Sequence, residues 1–99
     1  MDKWTIDDWE RERAAEQLAA FYLFTPMCGT CAVASKMLTV IEAMRPELTI
    51  GKADLNFTEQ LAYDYEIESV PCLLIHRQVK PIEKIYAFQS VPNLLEKLT

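Results

Sequence analysis

The sequence predicts an α/β protein, with a mixed central sheet of four strands and helices on both faces. Apolar runs of strand length alternate along the chain with apolar residues repeated at helical spacing. Near the end, two strand-like runs follow one another before a last helix. The predicted order is therefore α-β-α-β-α-β-β-α, with a short extra N-terminal strand as an option. A β-α-β half joined to a β-β-α half accounts for the mixed sheet.

Composition limits the class of protein. The chain has 99 residues, 51% of them hydrophobic and 25% charged, so we expect one globular domain over residues 1–99. The net charge of −5 argues against non-specific binding to nucleic acid. No apolar run reaches the length of a membrane span, and residues 1–4 carry charges where a signal peptide needs apolar residues. We therefore expect a cytoplasmic protein, in which a cysteine pair is catalytic or metal-binding rather than structural.

Helix and strand signals alternate through the first half of the chain. Thr5 is the predicted N-cap of a helix that runs to about Leu18. A buried strand is predicted over residues 21–25, and Pro26 ends it. A second helix is predicted over residues 32–44. It rests on a stripe of apolar residues at helical spacing, namely Val33, Met37, Val40, Ile41 and Met44.

The second half of the chain contains the remaining strands and helices. Strands are predicted over residues 48–53, 72–76 and 82–88. Between the first two lies a helix that Asn56 or Thr58 caps and that reaches Tyr65. Residues 77–80 join the last two strands as a hairpin, and Ser90 caps the final helix.

The most specific motif is Cys28-Gly29-Thr30-Cys31, which lies between a strand-like run and a helix-like run. A Cys-x-x-Cys pair alone is compatible with redox chemistry or with metal binding. Its place at a strand-to-helix junction favours a dithiol/disulfide switch. Gly29 lets the turn bend and a substrate approach, and Thr30 keeps a backbone N–H near the sulfurs. Met27 is predicted to be exposed, where its flexible thioether suits contact with protein substrates.

Three segments together resemble the thioredoxin family. They are the strand–Cys28-Gly29-Thr30-Cys31–helix block, Lys52-Ala53-Asp54 at a strand end, and residues 65–71. Pro71 falls 40 residues after Cys31 and precedes a strand and a hairpin, as in that family. The resemblance covers nearly all of the chain after residue 5 and implies a thioredoxin fold. It is strongest to bacterial thioredoxin-like proteins whose motif reads Cys-Gly-Thr-Cys.

The resemblance implies a thiol–disulfide oxidoreductase that reduces or exchanges disulfides of proteins or small thiols. Cys28 would be the nucleophile, because a helix N-terminus stabilises its thiolate. Cys31, one turn further on, would then resolve the mixed disulfide. Pro71 is expected to be cis and to expose the Val70 backbone for pairing with an extended substrate. Lys52 is carried over as a supporting residue.

The sequence departs from the family pattern at six positions: Met27, Thr30, Tyr22, Cys72, Val79 and Ala87. Tyr22 falls where many thioredoxins have a buried Asp, which predicts slower or more pH-dependent resolution by Cys31. Cys72 follows Pro71 where Thr is usual. We interpret it as a small, partly buried strand residue, and the alternative is a third reactive thiol close to Cys28.

The residues leave two alternative functions open. One is a binding adaptor with the same fold and vestigial cysteines. The other is metal binding, since Cys28, Cys31, Cys72 and His76 form a Cys₃His set by count. His76 lies about 13 Å along the strand from Cys72, at ~3.3 Å per residue, so both cannot reach one zinc. An iron–sulfur cluster that bridges two chains would need only the cysteines.

The redox interpretation also predicts the partners. Disulfide-containing proteins would be the substrates, and thioredoxin reductase or a low-molecular-weight thiol would supply the electrons. No bound cofactor or metal is expected. We further expect a monomer that binds neither nucleic acid nor a membrane.

Overall fold

The fold is a five-stranded mixed sheet with helices on both faces, described for residues 1–99 by a computed structural model. The strands are β1 (Asp2–Lys3), β2 (Leu18–Phe24), β3 (Thr49–Asp54), β4 (Cys72–Arg77) and β5 (Glu83–Ile85). The helices are α1 (Ile6–Ala15), α2 (Gly29–Met44), α3 (Glu59–Asp64) and α4 (Val91–Lys97). The predicted order of helices and strands is confirmed, and β1 is the short extra N-terminal strand. None of these helices has both the length and the apolar character needed to cross a membrane.

The order of the strands in the sheet is β1-β3-β2-β4-β5. β3 runs parallel to both β1 and β2, while β4 is antiparallel to β2 and to β5. The α2 crossover makes β2 and β3 parallel, and the tight connection after β4 makes β5 antiparallel. The sheet is therefore mixed, as predicted.

Two apolar clusters cover the two faces of the sheet. The face under α2 and α4 contains Ala20, Tyr22, Ala34, Leu38, Ile41, Ile50, Leu73, Ile75, Ile85, Leu94 and Leu98. The face under α1 and α3 contains Trp9, Ala19, Phe21, Leu23, Ala53, Leu61, Cys72 and Leu74. Alternate residues of β2 and β4 point to opposite faces, so these central strands are buried on both sides.

Helix α1 begins as predicted and ends earlier than predicted. The Thr5 hydroxyl accepts a hydrogen bond from the Asp8 N–H, and the Asp8 carboxylate accepts one from the Thr5 N–H, which forms a capping box. The prediction that the helix reaches Leu18 is wrong. Glu16 is already extended, and Leu18 pairs with Arg77 as the first residue of β2.

The buried face of α2 differs from the predicted stripe. Val33, Val40 and Met44 are exposed. The residues that pack on the sheet are Cys31, Ala34, Leu38 and Ile41. Apolar residues lie on several sides of this helix, so their spacing alone does not select a face. The helix also begins at Gly29, three residues before the predicted start.

Several boundaries in the second half also differ from the predictions. The last strand is limited to Glu83–Ile85. A single 3-10 turn over Leu55–Phe57 precedes α3, whose N-cap is Thr58 and which ends at Asp64. The hairpin after β4 is present, and Val79 adopts a left-handed φ of 61° in it. The Ser90 hydroxyl caps α4 by accepting a hydrogen bond from the Asn93 N–H at 3.1 Å.

Candidate active site

The two cysteines of the motif lie at the N-terminus of α2, where a disulfide joins them. Cys28 is the N-cap residue, and its sulfur accepts a hydrogen bond from the Cys31 N–H at 3.2 Å. Their Cα atoms are 5.2 Å apart, a usual separation for bonded cysteines. The first N–H groups of a helix and the positive end of its dipole favour negative charge here. The position therefore stabilises a thiolate on Cys28 after reduction.

The two cysteines differ in their exposure to solvent. Cys31 is only 4% exposed, whereas Cys28 is half-buried. Met27, directly before Cys28, is 96% exposed, as the sequence predicted. A molecule that approaches from solvent therefore reaches Cys28 before Cys31.

The segment that precedes β4 brings Val70 to the dithiol. The Val70–Pro71 peptide bond is cis, which confirms the prediction. The Cys28 sulfur lies 3.9 Å from the Val70 carbonyl oxygen. Lys84 of β5 holds the same segment, because its ammonium donates to the Tyr65 carbonyl oxygen at 2.8 Å. Cys28 and Val70, which are 42 positions apart in the chain, thus meet at one site.

Two hydroxyl groups at the site did not follow from the sequence. The Thr30 hydroxyl oxygen lies 3.4 Å from the Cys28 sulfur, whereas the sequence suggested a role for the Thr30 backbone N–H. Ser35 lines the cleft beside the two cysteines. Its position four residues after Cys31, one turn along the same helix, is the signal that would have found it.

Tyr22 occupies the core beneath the dithiol. It is 1% exposed, and its hydroxyl donates to the Cys31 carbonyl oxygen at 2.6 Å. Burial disfavours the charged phenolate and raises the pKa of Tyr22 to about 12. Tyr22 is thus the predicted core aromatic, with a hydrogen bond to the site in addition.

Lys52 lies at the edge of the same site. A cleft of about 240 Å³ is lined by residues that include Tyr22, Cys28, Cys31 and Lys52. Lys52 is half-buried, and it takes part in none of the ion pairs of the structure. It is therefore a free cation beside the cysteines.

Comparisons with known proteins agree with this architecture. The family model for Thioredoxin matches residues 3–99. The chain belongs to the thioredoxin family. It is similar to the thioredoxin-like protein YusE of Bacillus subtilis, with 41% identity over 92% of this chain and 86% of that protein. It is also similar to thioredoxin of Chlamydia trachomatis, with 25% identity over 86% of this chain and 83% of that protein.

Solved structures show the same fold at low sequence identity. Chloroplastic thioredoxin z matches 99% of this chain and 90% of its own, with a TM-score of 0.86 and 20% identity. Mitochondrial thioredoxin 3 of Saccharomyces cerevisiae, in its oxidized form, matches 99% of this chain and 92% of its own, with a TM-score of 0.85 and 17% identity. The thioredoxin fold expected from the sequence is confirmed.

Family, fold and chemistry together establish the activity. The chain is a thiol–disulfide oxidoreductase of the thioredoxin family, because its Cys28–Cys31 pair is bonded at the start of α2 in this fold. Thioredoxins act on disulfide substrates and receive electrons from reductase partners. Cys28 and Cys31 are the two disulfide-bonded cysteines of the chain.

The third cysteine lies in the core on the opposite face of the sheet from α2. Cys72 is fully buried in the cluster under α1 and α3. Burial raises the pKa of the Cys72 thiol to about 11, although the nearby Lys84 charge and Tyr86 hydroxyl oppose this shift. The surroundings are those of a small core residue.

His76 and the cysteines do not form a common metal site. Cys72 pairs with Leu23 and His76 pairs with Ala19, four residues apart along the same strand. No group of three or more His, Cys, Asp or Glu residues is arranged to hold a metal ion. The buried Nδ1 atom of His76 has no hydrogen-bond partner.

Proposed function

We propose that this thioredoxin is a protein-disulfide reductase in which Cys28 is the attacking thiol and Cys31 the resolving thiol. The observation that supports these roles is the difference in exposure within the bonded pair. Cys31 is nearly inaccessible, whereas Cys28 is half-buried and caps α2. A bulky protein disulfide can therefore meet only the Cys28 sulfur.

Two exchange steps transfer two electrons from the dithiol to the target. The Cys28 thiolate attacks one sulfur of the target disulfide, and the other sulfur leaves as a thiolate that takes up a proton from water. Cys31 then loses its proton and attacks the Cys28 sulfur. The mixed disulfide breaks, the second target thiolate leaves, and Cys28 and Cys31 are bonded again. The two Cα atoms are 5.2 Å apart, so the backbone already places Cys31 within reach of Cys28 for this second step.

Substrate binding would use the surface around Cys28. The Val70 carbonyl lies beside the sulfur, which suits pairing with an extended substrate backbone. Met27 is fully available for apolar contact. A Cβ atom added to Gly29 would have no atom within 4 Å, so the space beside Gly29 is open to a substrate. The supporting roles of Thr30 and Lys52 belong to the same proposal.

We also propose an electron donor and a cellular location for the protein. Thioredoxin reductase or a low-molecular-weight thiol would reduce the Cys28–Cys31 disulfide, and the protein would work as a monomer without a bound cofactor. A cytoplasmic location suits a chain whose only disulfide is the Cys28–Cys31 pair. Cell fractionation with an antibody against the protein tests the location.

The decisive experiment is to trap the mixed disulfide. In a Cys31→Ser variant, target proteins should stay covalently attached to Cys28 and be released by a reducing agent. The matched control is Cys28→Ser, which keeps one thiol of the pair but should trap nothing. Wild type should reduce insulin disulfides when a chemical reductant is present. Equal trapping by the two variants, or no insulin reduction by wild type, would contradict the proposal.

A further inference from the structure

A second and larger cleft opens beside the dithiol. Its volume is about 700 Å³, compared with about 240 Å³ for the cleft at the cysteines. The two clefts share three wall residues, Phe24, Pro26 and Lys52. The larger cleft lies at the carboxyl ends of β1, β3 and β2, a usual location for small ligands in α/β proteins. A ligand held there would be next to the redox centre.

Two lysines line this larger cleft as direct neighbours. Lys3 of β1 and Lys52 of β3 are register partners across parallel strands, and both contribute to the cleft wall. Two like charges on neighbouring strands repel one another. Neither lysine takes part in any ion pair of the structure. The pair is therefore suited to an anionic group of a ligand.

The other lining residues restrict the class of ligand. Asp7 and Asp54 also line the cleft, so its two positive charges are accompanied by two negative ones. A polyanion such as a nucleotide would be repelled by the two carboxylates. Trp4 and Phe57 add aromatic surface. A small molecule that carries both a carboxylate and an ammonium group matches this combination.

We propose that the cleft binds low-molecular-weight disulfides of amino-acid or short-peptide thiols. This inference rests on the proposed redox function of Cys28 and assigns a binding site to the small disulfides among its expected substrates. The carboxylate would lie against Lys3 and Lys52, with the ammonium group toward Asp7. The ligand disulfide then reaches Cys28 over the shared wall. One half forms a mixed disulfide with Cys28 and the other half leaves as a thiolate, and Cys31 releases the first half as in the proposed protein reaction.

The test measures how fast the reduced protein is oxidised by three disulfides of different charge. They are neutral bis(2-hydroxyethyl) disulfide, dianionic 3,3′-dithiodipropionate and zwitterionic cystine. For each of the two carboxylate disulfides, the rate constant of oxidation is divided by that for neutral bis(2-hydroxyethyl) disulfide. In Lys3→Gln, both ratios should be about fivefold lower than in wild type. Lys36→Gln is the matched control, because Lys36 is exposed on α2 and lines neither cleft. This control should keep the wild-type ratio.

The outcomes distinguish ligand binding in the larger cleft from the redox activity of Cys28. An unchanged ratio in Lys3→Gln, or equal losses in both variants, overturns the inference and leaves the redox function intact. If wild type reduces none of the disulfides, the redox function fails, and binding is tested directly. Trp4 lines the cleft, so tryptophan fluorescence of the oxidised protein should change saturably with cystine, more weakly in Lys3→Gln. Absence of a saturable change overturns the inference.

Discussion

The Tyr22 hydroxyl donates a hydrogen bond of 2.6 Å to the backbone carbonyl oxygen of Cys31. This bond joins the central strand β2 to the first turn of α2, the turn that holds the Cys31 thiol. Its acceptor is a carbonyl, which does not titrate, and its donor has a raised pKa of about 12. The bond therefore persists across the physiological pH range. Tyr22, which the resemblance places where a buried Asp was expected, thus joins this helix to the sheet.

Loss of this hydroxyl should weaken the fold. Tyr22→Phe keeps the ring in the core and removes the bond, so the free energy of unfolding should fall by about 1 kcal/mol. Urea denaturation of the oxidised and the reduced protein measures the change. Tyr63→Phe is the control, because Tyr63 is 82% exposed, and it should leave stability unchanged. Equal effects of the two substitutions would contradict the assigned role of the Tyr22 hydroxyl.

The attack of Cys31 on a mixed disulfide at Cys28 should depend on pH as it does for a thiol that has no carboxylate base beside it. Since Tyr22 stays protonated below about pH 12, it cannot accept the Cys31 proton. The rate should therefore rise about tenfold per pH unit for as long as most of the Cys31 thiol is protonated. Stopped-flow release of thionitrobenzoate from its mixed disulfide with Cys28 measures this profile. Tyr22→Phe should give the same slope, and a plateau below pH 7 in wild type would indicate another base.

Cys72 should be unreactive in the folded protein. It is fully buried, and its pKa is raised to about 11, so little thiolate forms near neutral pH. Iodoacetamide at pH 7.5 should label Cys72 at least about a hundredfold more slowly in the folded protein than in urea. Reduced Cys28 serves as the internal control and should react quickly under native conditions. A Cys28–Cys72 disulfide in Cys31→Ser would instead support the interpretation of Cys72 as a third reactive thiol.

Gly51 should not tolerate a side chain, whereas Gly29 should. A Cβ atom at Gly51 would overlap the Trp4 indole, which packs directly on this position of β3. Gly51→Ala should therefore lower the free energy of unfolding by about 1–3 kcal/mol, because Trp4 must move. Gly29→Ala is the matched control, since a Cβ there meets no atom within 4 Å. If thermal unfolding shows that both variants lose the same stability, the proposed reason for a glycine at position 51, the close packing of Trp4, is wrong.

The local features of this protein follow from its sequence. Thr5 and Ser90 cap helices as predicted, because capping depends on neighbouring backbone groups. The Cys28–Cys31 pair stands between a strand and a helix because apolar spacing and Pro26 mark both elements. The cis bond before Pro71 came from the family resemblance, since most bonds before proline are trans.

Only the tertiary structure decided which surfaces meet. The spacing of apolar residues in α2 fits several faces, and packing of Ala34 and Leu38 on the sheet selected one. The Tyr22 bond to Cys31 joins residues nine positions apart on two different elements, and the register of Lys3 with Lys52 joins residues almost 50 positions apart. Sequence patterns report the periodicity of a single element. The relative placement of elements depends on how the whole core packs, and that placement gives this dithiol its hydrogen bonds, its exposure and its neighbouring charges.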